Sequence, residues 1–324
     1  RFVVFLCCTP LFAQTFSNQW IDYSQSYYSF PIVEKGIYRL TYQNLLNAGI
    51  SVDTINPKNF QLFAKGEEIP LYVSGESDDS FDATDYIEFY SDPNTAWLDS
   101  ALYKGLANQP NPYYSLINDT LFHYLTWNDR SDNSRYEEES ATDFSNYFRA
   151  AFVWKEQIEA YSDAYYDGEI LSGGVTDPEY TNTEGWQSRA VNLGQGRNFL
   201  LNTQNRYISG PFVDFEVQFA GQSNFRQVNN GDHHIRITVG SQVIDTVFEG
   251  YQLLNVKRSF SPSEIVGGNN MVRMESIDDL NVDADRSSLA YMKITYPQTL
   301  SFSNASYYEF MLDDASNQDA QYLE

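Results

Sequence analysis

The chain has 324 residues, with 44 acidic against 20 basic side chains and a formal net charge of −24. A field of that sign repels polyanions, so nucleic acid is excluded as a natural partner, and the acidic residues are spread through the chain as a solvated surface rather than gathered in a tail. The length can bury large cores without staples and suggests about two domains.

Phe2 to Ala13 reads as the end of a secretory signal peptide (1–13), an apolar run closed by the small Ala13 before Gln14. Cys7 and Cys8 are the only cysteines. Both would leave with the leader, so the mature chain would carry no disulfide, thiolate nucleophile or cysteine metal ligand. The run is too short to span a bilayer, and no later one approaches the roughly 20 apolar residues a membrane helix needs. The expected location is therefore outside the cell, at its surface or outer membrane or free.

Tyr27 to Val33 and Ile37 to Thr41 read as two strands of a hairpin turned at Glu34-Lys35-Gly36. Tyr42 to Ala48 reads as one short helix, capped by Thr41 and closed by Gly49 at C′ with Ile50 behind it. After the Asn56-Pro57-Lys58-Asn59 turn, Phe60 to Ala64 and Ile69 to Val73 pair about Lys65-Gly66-Glu67-Glu68, with Pro70 marking an edge. Tyr86 to Tyr90, a strand pair in Tyr113 to Trp127 around Asn118-Asp119, and Tyr147 to Trp154 continue the β pattern. From about Asp163 to Gly185 the composition turns to Asp, Gly, Ser, Thr and Pro, which reads as a connection. Beyond it Val213 to Phe219, Ile235 to Val239 and Ala290 to Tyr296 alternate cleanly, each with one buried face. The expected fold is all-β, two antiparallel sandwich or jelly-roll-like domains with one short helix. Their bounds are 14–170 and 185–298, joined by a linker at 171–184, with 299–324 the start of a following region.

Asp78, Asp79, Asp82 and Asp85 crowd one loop and form a candidate calcium site; the same loop also fits a solvated hairpin without the EF-hand order. Asp278, Asp279, Asp283 and Asp285 form a second such cluster. No other cofactor is indicated. His123 falls on the face of Leu121, Leu125 and Trp127 and reads as a half-buried core residue. His233 and His234 follow Asn229-Asn230-Gly231-Asp232 and read as a solvated hairpin tip, although Asp232 with His233 could offer metal ligands or an acid/base pair. Gly194 and Gly196 are followed by Phe199 where a dinucleotide fingerprint needs glycine, and no phosphate loop is present. Tyr161, Tyr165, Tyr166, Tyr180 and Trp186 could stack on sugar rings or pack between domains.

Lys35-Gly36-Ile37-Tyr38-Arg39, the Leu45 to Gly49 helix end, Asn56-Pro57 with Phe60-Gln61-Leu62-Phe63, Gly66-Glu67-Glu68 and Phe81 to Tyr90 together resemble the N-terminal region of secreted gingipain-like cysteine peptidases, including the PorU-like sortases of the type IX secretion system of Bacteroidetes. Weaker echoes follow at Tyr114-Ser115-Leu116, Asn118-Asp119-Thr120, Thr126-Trp127, Glu184-Gly185-Trp186 and Asp285-Arg286 through Ile294-Thr295-Tyr296-Pro297. The resemblance implies β-domains that precede a caspase-like peptidase domain carrying a His/Cys dyad. No residue here matches that dyad, so the implied role is accessory: a prodomain-like scaffold, or a docking region for a downstream peptidase domain and outer-membrane secretion components. The alternative is a glycan- or cell-surface-binding module of a large secreted adhesin, and a third is a hydrolase using carboxylates.

Overall fold

The computed structural model describes residues 18–103, 106–137, 143, 145, 148–171, 175–176, 180–225, 231–312 and 321–322. The leader remnant at 1–13, Cys7 and Cys8, the Ser172-Gly173-Gly174 and Asp177-Pro178 part of the expected linker, and most of 313–324 lie outside them. The chain divides into two compact units, one of Arg1–Pro93 with Thr120–Glu139, the other of Asn94–Asp119 with Ser140–Glu324. Both are mainly antiparallel β structures, and the single α-helix is α1 (Tyr42–Asn47) among the described residues.

The first unit is built on β1 (Tyr28–Ile32), β2 (Gly36–Thr41), β3 (Phe60–Ala64), β4 (Glu67–Ile69), β5 (Tyr72–Val73), β6 (Tyr86–Ser91) and β7 (Leu121–Trp127). One sheet runs β1-β7-β3-β4 and the other β2-β6-β5. β1 and β2 therefore lie in different sheets, and the expected hairpin between them does not form. Gly36 opens β2 opposite Ser91 rather than making a turn. The expected strand from Ile69 to Val73 is split at Pro70, which cannot donate a ladder hydrogen bond: β4 stays with β3, while β5 joins β6. Lys65 (φ 54°) and Gly66 (φ 84°) turn the β3–β4 hairpin as a type I′ pair. α1 is as the sequence indicates. Thr41 and Asn44 form a reciprocal capping box, and the N–H groups of Gly49 and Ile50 return to the carbonyls of Leu46 and Leu45 in a Schellman closure. Ile32, Leu45, Phe60, Leu62, Ile87, Phe89 and Leu125 meet in one core between the sheets. The segment after β7 is strapped down by Arg135, whose guanidinium donates to the carbonyls of Phe60, Pro57 and Lys58 and pairs with Glu76 at 2.6 Å.

The second unit contains β8 (Phe148–Arg149), β9 (Val153–Ala160), β10 (Ala164–Tyr166), β11 (Ile170–Leu171), β12 (Val175–Thr176), β13 (Gly185–Gln187), β14 (Val191–Asn192), β15 (Gly196–Asn202), β16 (Val213–Gly221), β17 (His233–Val239), β18 (Gln242–Phe248), β19 (Leu253–Phe260), β20 (Asn269–Ser276), β21 (Arg286–Gln298) and β22 (Gln321–Tyr322). One sheet runs β14-β21-β16-β19 with β9 paired to β21, and the facing sheet runs β15-β20-β17-β18. Their inward rows, among them Phe215, Val217 and Phe219 of β16, Ile235, Ile237 and Val239 of β17, and Met292 and Ile294 of β21, fill the sandwich. β10 pairs with β13 and β11 with β12, while β22 pairs with β8 in parallel.

The expected division at 171–184 falls inside this second unit. β9, expected in the first domain, runs in register with β21 from Val153 opposite Gln298 to Ala160 opposite Tyr291. The stretch around Asp163 to Gly185 is rich in turn residues because it connects short strands. Asn94–Asp119 also belongs to the second unit, although strands of the first bracket it in sequence. It holds to the outer face of β16 and β21: Gln218 donates to the carbonyls of Gln109 (2.9 Å) and Pro110 (2.6 Å), and Asn111 to those of Tyr161 (2.9 Å) and Trp186 (3.3 Å). Tyr113 to Asp119, expected in a strand pair, is non-regular, and only Leu121–Trp127 is a strand. No helix among the described residues is long and apolar enough to cross a membrane.

Candidate functional site

The four carboxylates of the first acidic loop share a loop but not a centre. Asp85 accepts from Ser74 Oγ at 2.9 Å and from the Asp82 N–H at 2.7 Å. Ser80 serves both neighbours, its N–H on Asp78 and its Oγ on Asp82. Asp79 is drawn away to Lys58 Nζ at 2.7 Å and Asn56 Nδ2 at 3.1 Å, and the Lys58 and Asn56 bonds hold its carboxyl below the usual aspartate range. Gly75 (φ 88°) packs so tightly on this loop that a Cβ there would lie 2.3 Å from Asp85 Oδ2. The loop is thus folded on its own hydrogen bonds. Among the described residues, no three His, Cys, Asp or Glu side chains are arranged to hold a metal ion. The second acidic cluster is likewise divided, because Asp285 and Asp279 pair with different histidines and Asp278 and Asp283 take no part in those bonds.

His233 is not at a solvated tip. It begins β17 on the same face as Ile235 and Ile237 and is fully buried, as is Asp232; Asp285 is 1% exposed. His233 Nδ1 lies 2.5 Å from Asp285 Oδ1, Nε2 lies 3.0 Å from the Ser223 carbonyl, and the ring stacks on Phe248 at 4.6 Å and 12°. Ser276 Oγ donates to Asp285 Oδ2 at 2.7 Å, and Asp232 accepts from the N–H groups of Gly250 and Phe225. Burial alone would depress the imidazole, but the Asp285 hydrogen bond and charge, with Asp232 and the Ser223 carbonyl, outweigh it and raise its pKa above the usual histidine value. An acceptor faces each ring nitrogen, an arrangement that favours the protonated ring paired with the Asp285 carboxylate.

Ser287, His233 and Asp285 have the composition of a catalytic triad without its geometry. A triad places the serine on one ring nitrogen and the carboxylate on the other. Here Ser287 Oγ approaches the same Nδ1 as Asp285, at 3.1 Å, while the Ser223 carbonyl covers Nε2. With all three side chains buried, no substrate reaches the hydroxyl. The cluster joins β17 to β21 at one end of the sandwich. Gly221 completes it, since a Cβ there would fall 2.2 Å from the Gly250 carbonyl oxygen and 2.7 Å from His233 Nε2.

His234 faces outward, with Asp279 on Nδ1 at 2.7 Å and Asp245 on Nε2 at 2.5 Å, and Arg236 also pairs with Asp245. Carboxylates on opposite ring nitrogens do not converge on one metal position. His123 is more deeply buried than expected, at 1% exposure, between the rings of Phe30 (5.6 Å) and Phe89 (5.5 Å). Its Nδ1 has no hydrogen-bond partner, and burial lowers its pKa.

The aromatics expected near the boundary are engaged within the second unit. Tyr161 packs edge-on against Phe199, Tyr165 and Tyr114 against Trp186, and Tyr180 against Tyr103. A separate aromatic site, absent from the sequence reading, lies in the first unit. Trp20 sits over Phe63 and Tyr124, a cross-strand pair of β3 and β7 on the face opposite Leu62 and Leu125. Thr126 Oγ1 donates to the Ser26 carbonyl and fastens the incoming segment. Beside this contact opens a cleft of about 690 Å³ whose aromatic lining is Trp20, Tyr27 and Phe63 and whose polar wall includes Asp22, Gln25, Gln61 and Asp129; it reaches the end of β7 at Trp127, whose ring packs on the core face. No sequence spacing reveals it, because its walls come from 20–27, 61–63 and 127–130.

No protein-family model matches the sequence, and no curated protein matches it. Among solved structures, the chain is similar to dimeric latent PorU from Porphyromonas gingivalis, with a TM-score of 0.54 and 10% identity over 86% of this chain and 25% of that one. Weaker likenesses, at TM-scores of 0.25 and 0.23, are to the CBM36-1 domain of a multidomain xylanase from the hindgut metagenome of Trinervitermes trinervoides (14% identity, 43% of this chain, 96% of that one) and to the CBM35 of Abf62 from Cellvibrio japonicus (9% identity, 45% of this chain, 100% of that one). These two are too distant to carry an argument. The PorU match establishes a likeness of fold, and this chain spans a quarter of the length of that protein.

Proposed function

We propose that this chain is the non-catalytic β-sandwich region of a larger exported protein of the gingipain-like, PorU-like kind. It acts there as a prodomain-like scaffold or docking region for a peptidase domain of the same protein and for outer-membrane secretion components. The observation that carries this reading is the extent of the fold likeness, which takes in 86% of this chain but a quarter of latent PorU. The motif order from Lys35-Gly36-Ile37 to Ile294-Thr295-Tyr296-Pro297 supports it independently. The chemistry of the titratable clusters fits the same role, since His233, Asp285 and Asp232 are buried and engaged in holding strands together.

The test is to express the full-length parent protein with and without residues 18–312 and follow its peptidase domain. A scaffold role predicts that the truncated form fails to reach the cell surface in active form and that the separately purified 324-residue chain binds the peptidase domain in a stoichiometric complex. Normal surface activity of the truncated form, or a parent protein with no cysteine peptidase domain, would overturn the reading.

A further inference from the structure

The cleft beside Trp20 has the chemistry of a ligand site. Its volume of about 690 Å³ falls within the roughly 300–1,000 Å³ typical of small-molecule pockets. Trp20 and Tyr27 are half-buried and held in place by packing: Trp20 rests on Phe63 at 5.1 Å, and Tyr27 meets it edge-on at 5.5 Å. Rings fixed in this way can accept a flat ligand face without a further ordering cost.

The polar wall selects among ligand classes. Arg130, its one cationic side chain among the described residues, already makes a two-pronged contact with Asp132, Nε to Oδ1 at 2.8 Å and Nη2 to Oδ2 at 2.9 Å. A phosphate or carboxylate ligand would therefore meet Asp22 and Asp129 without a free counter-charge, inside the field of a chain of net charge −24. A lipid tail would have to desolvate those carboxylates together with the Gln25 and Gln61 amides. What remains unsatisfied on the wall is hydrogen-bonding capacity of both signs beside aromatic surface. The Asp129 carboxylate is exposed and has no partner among the described residues, and Gln61 uses Nε2 on Glu68 while its carbonyl oxygen is left for a donor.

We propose that this cleft binds a neutral oligosaccharide, with a sugar ring against Trp20 and vicinal hydroxyls donating to Asp129. A polyhydroxyl ring has the paired donors and acceptors this wall lacks partners for, and its C–H face matches an indole. The inference does not depend on the scaffold reading, because a docking region can carry a glycan site and an adhesin module can lack one.

The experiment uses the whole chain and a panel of neutral hexasaccharides (cello-, xylo-, manno- and chito-oligosaccharides), with binding followed by calorimetry and tryptophan fluorescence. An oligolysine peptide serves as the alternative cationic ligand for the same carboxylates. Saturable binding of at least one sugar is expected, weakened roughly tenfold or more by Asp129→Ala, the loss of one charge-assisted hydrogen bond, and abolished by Trp20→Ala. Tyr23→Ala, an exposed aromatic outside the cleft lining, leaves affinity unchanged. Asp129→Ala keeps the test sound should Trp20→Ala fail to fold, since Asp129 holds no other part of the structure. The proposal fails if no sugar binds, if a sugar binds equally well to Asp129→Ala, or if the oligolysine peptide binds and the sugars do not.

Discussion

His233 and His123 show how one residue type is put to opposite use by its neighbours. Asp285, Asp232 and the Ser223 carbonyl surround the buried His233 and raise its pKa, whereas burial between two phenylalanines lowers that of His123. Removing one partner of a buried ion pair leaves the other charge uncompensated, a cost of about 3–5 kcal/mol. Asp285→Ala should therefore lower the unfolding free energy of the second unit by that amount in urea denaturation, and a loss under about 1 kcal/mol would mean that His233 is not charged there. The burial of His233 was legible in principle: the alternation of Ile235, Ile237 and Val239, continued one step toward the N-terminus, puts His233 on the inner face. The adjoining Asn and Gly residues favoured a turn and hid it. The acidic loop misleads in the other direction, since a run of aspartates records charge but not which of Lys58, Ser74 or Ser80 each will find.

Among elements, those set by local chemistry were readable and those set by distant pairing were not. The α1 caps, the Lys65-Gly66 turn and the alternating strands β16, β17 and β21 follow from residues within a few positions of one another. The pairing of β1 with β7 and of β2 with β6 does not, because a tempting turn at Gly36 lies between two strands that each pair far away in sequence. Asn94–Asp119 is the clearest case, since its place depends on a few amide contacts rather than on a pattern. Asn111 supplies the central one, through part-buried bonds to the Tyr161 and Trp186 carbonyls. Asn111→Ala leaves those acceptors unsatisfied, at a cost of about 1–3 kcal/mol. The expected readout is faster amide exchange in 94–119 with β16 and β21 still protected; uniform loss of protection across the sandwich would instead make Asn111 part of the global core.

At the scale of the whole molecule, composition and alternation gave the fold class, while the division into units was hidden because the chain passes between them more than once in sequence. The two units should respond oppositely to mild acid. His123 has a folded-state pKa below the usual value of about 6.5, through burial. Its unfolded form takes up the proton first, so the stability it supports is present above about pH 6.5 and is lost as the pH falls toward the folded value. His233 and His234 have folded-state pKa values above it, the Asp285 bond for one and the Asp279 and Asp245 bonds for the other outweighing desolvation. Their contribution is complete below about pH 6.5 and is lost as the pH rises through the folded values, with a slope of at most about 1.4 kcal/mol per pH unit for each. Taking the pH from 8 to 5.5, above the range where most carboxylates protonate, should lower the urea midpoint for exchange of β3 and β7 amides and raise that of β16 and β21. His123→Leu should flatten the first response and leave the second intact, and Asp285→Asn should blunt the second and leave the first. If both units move together and neither substitution changes the pattern, the net charge of −24, rather than these three rings, governs the acid response of the chain.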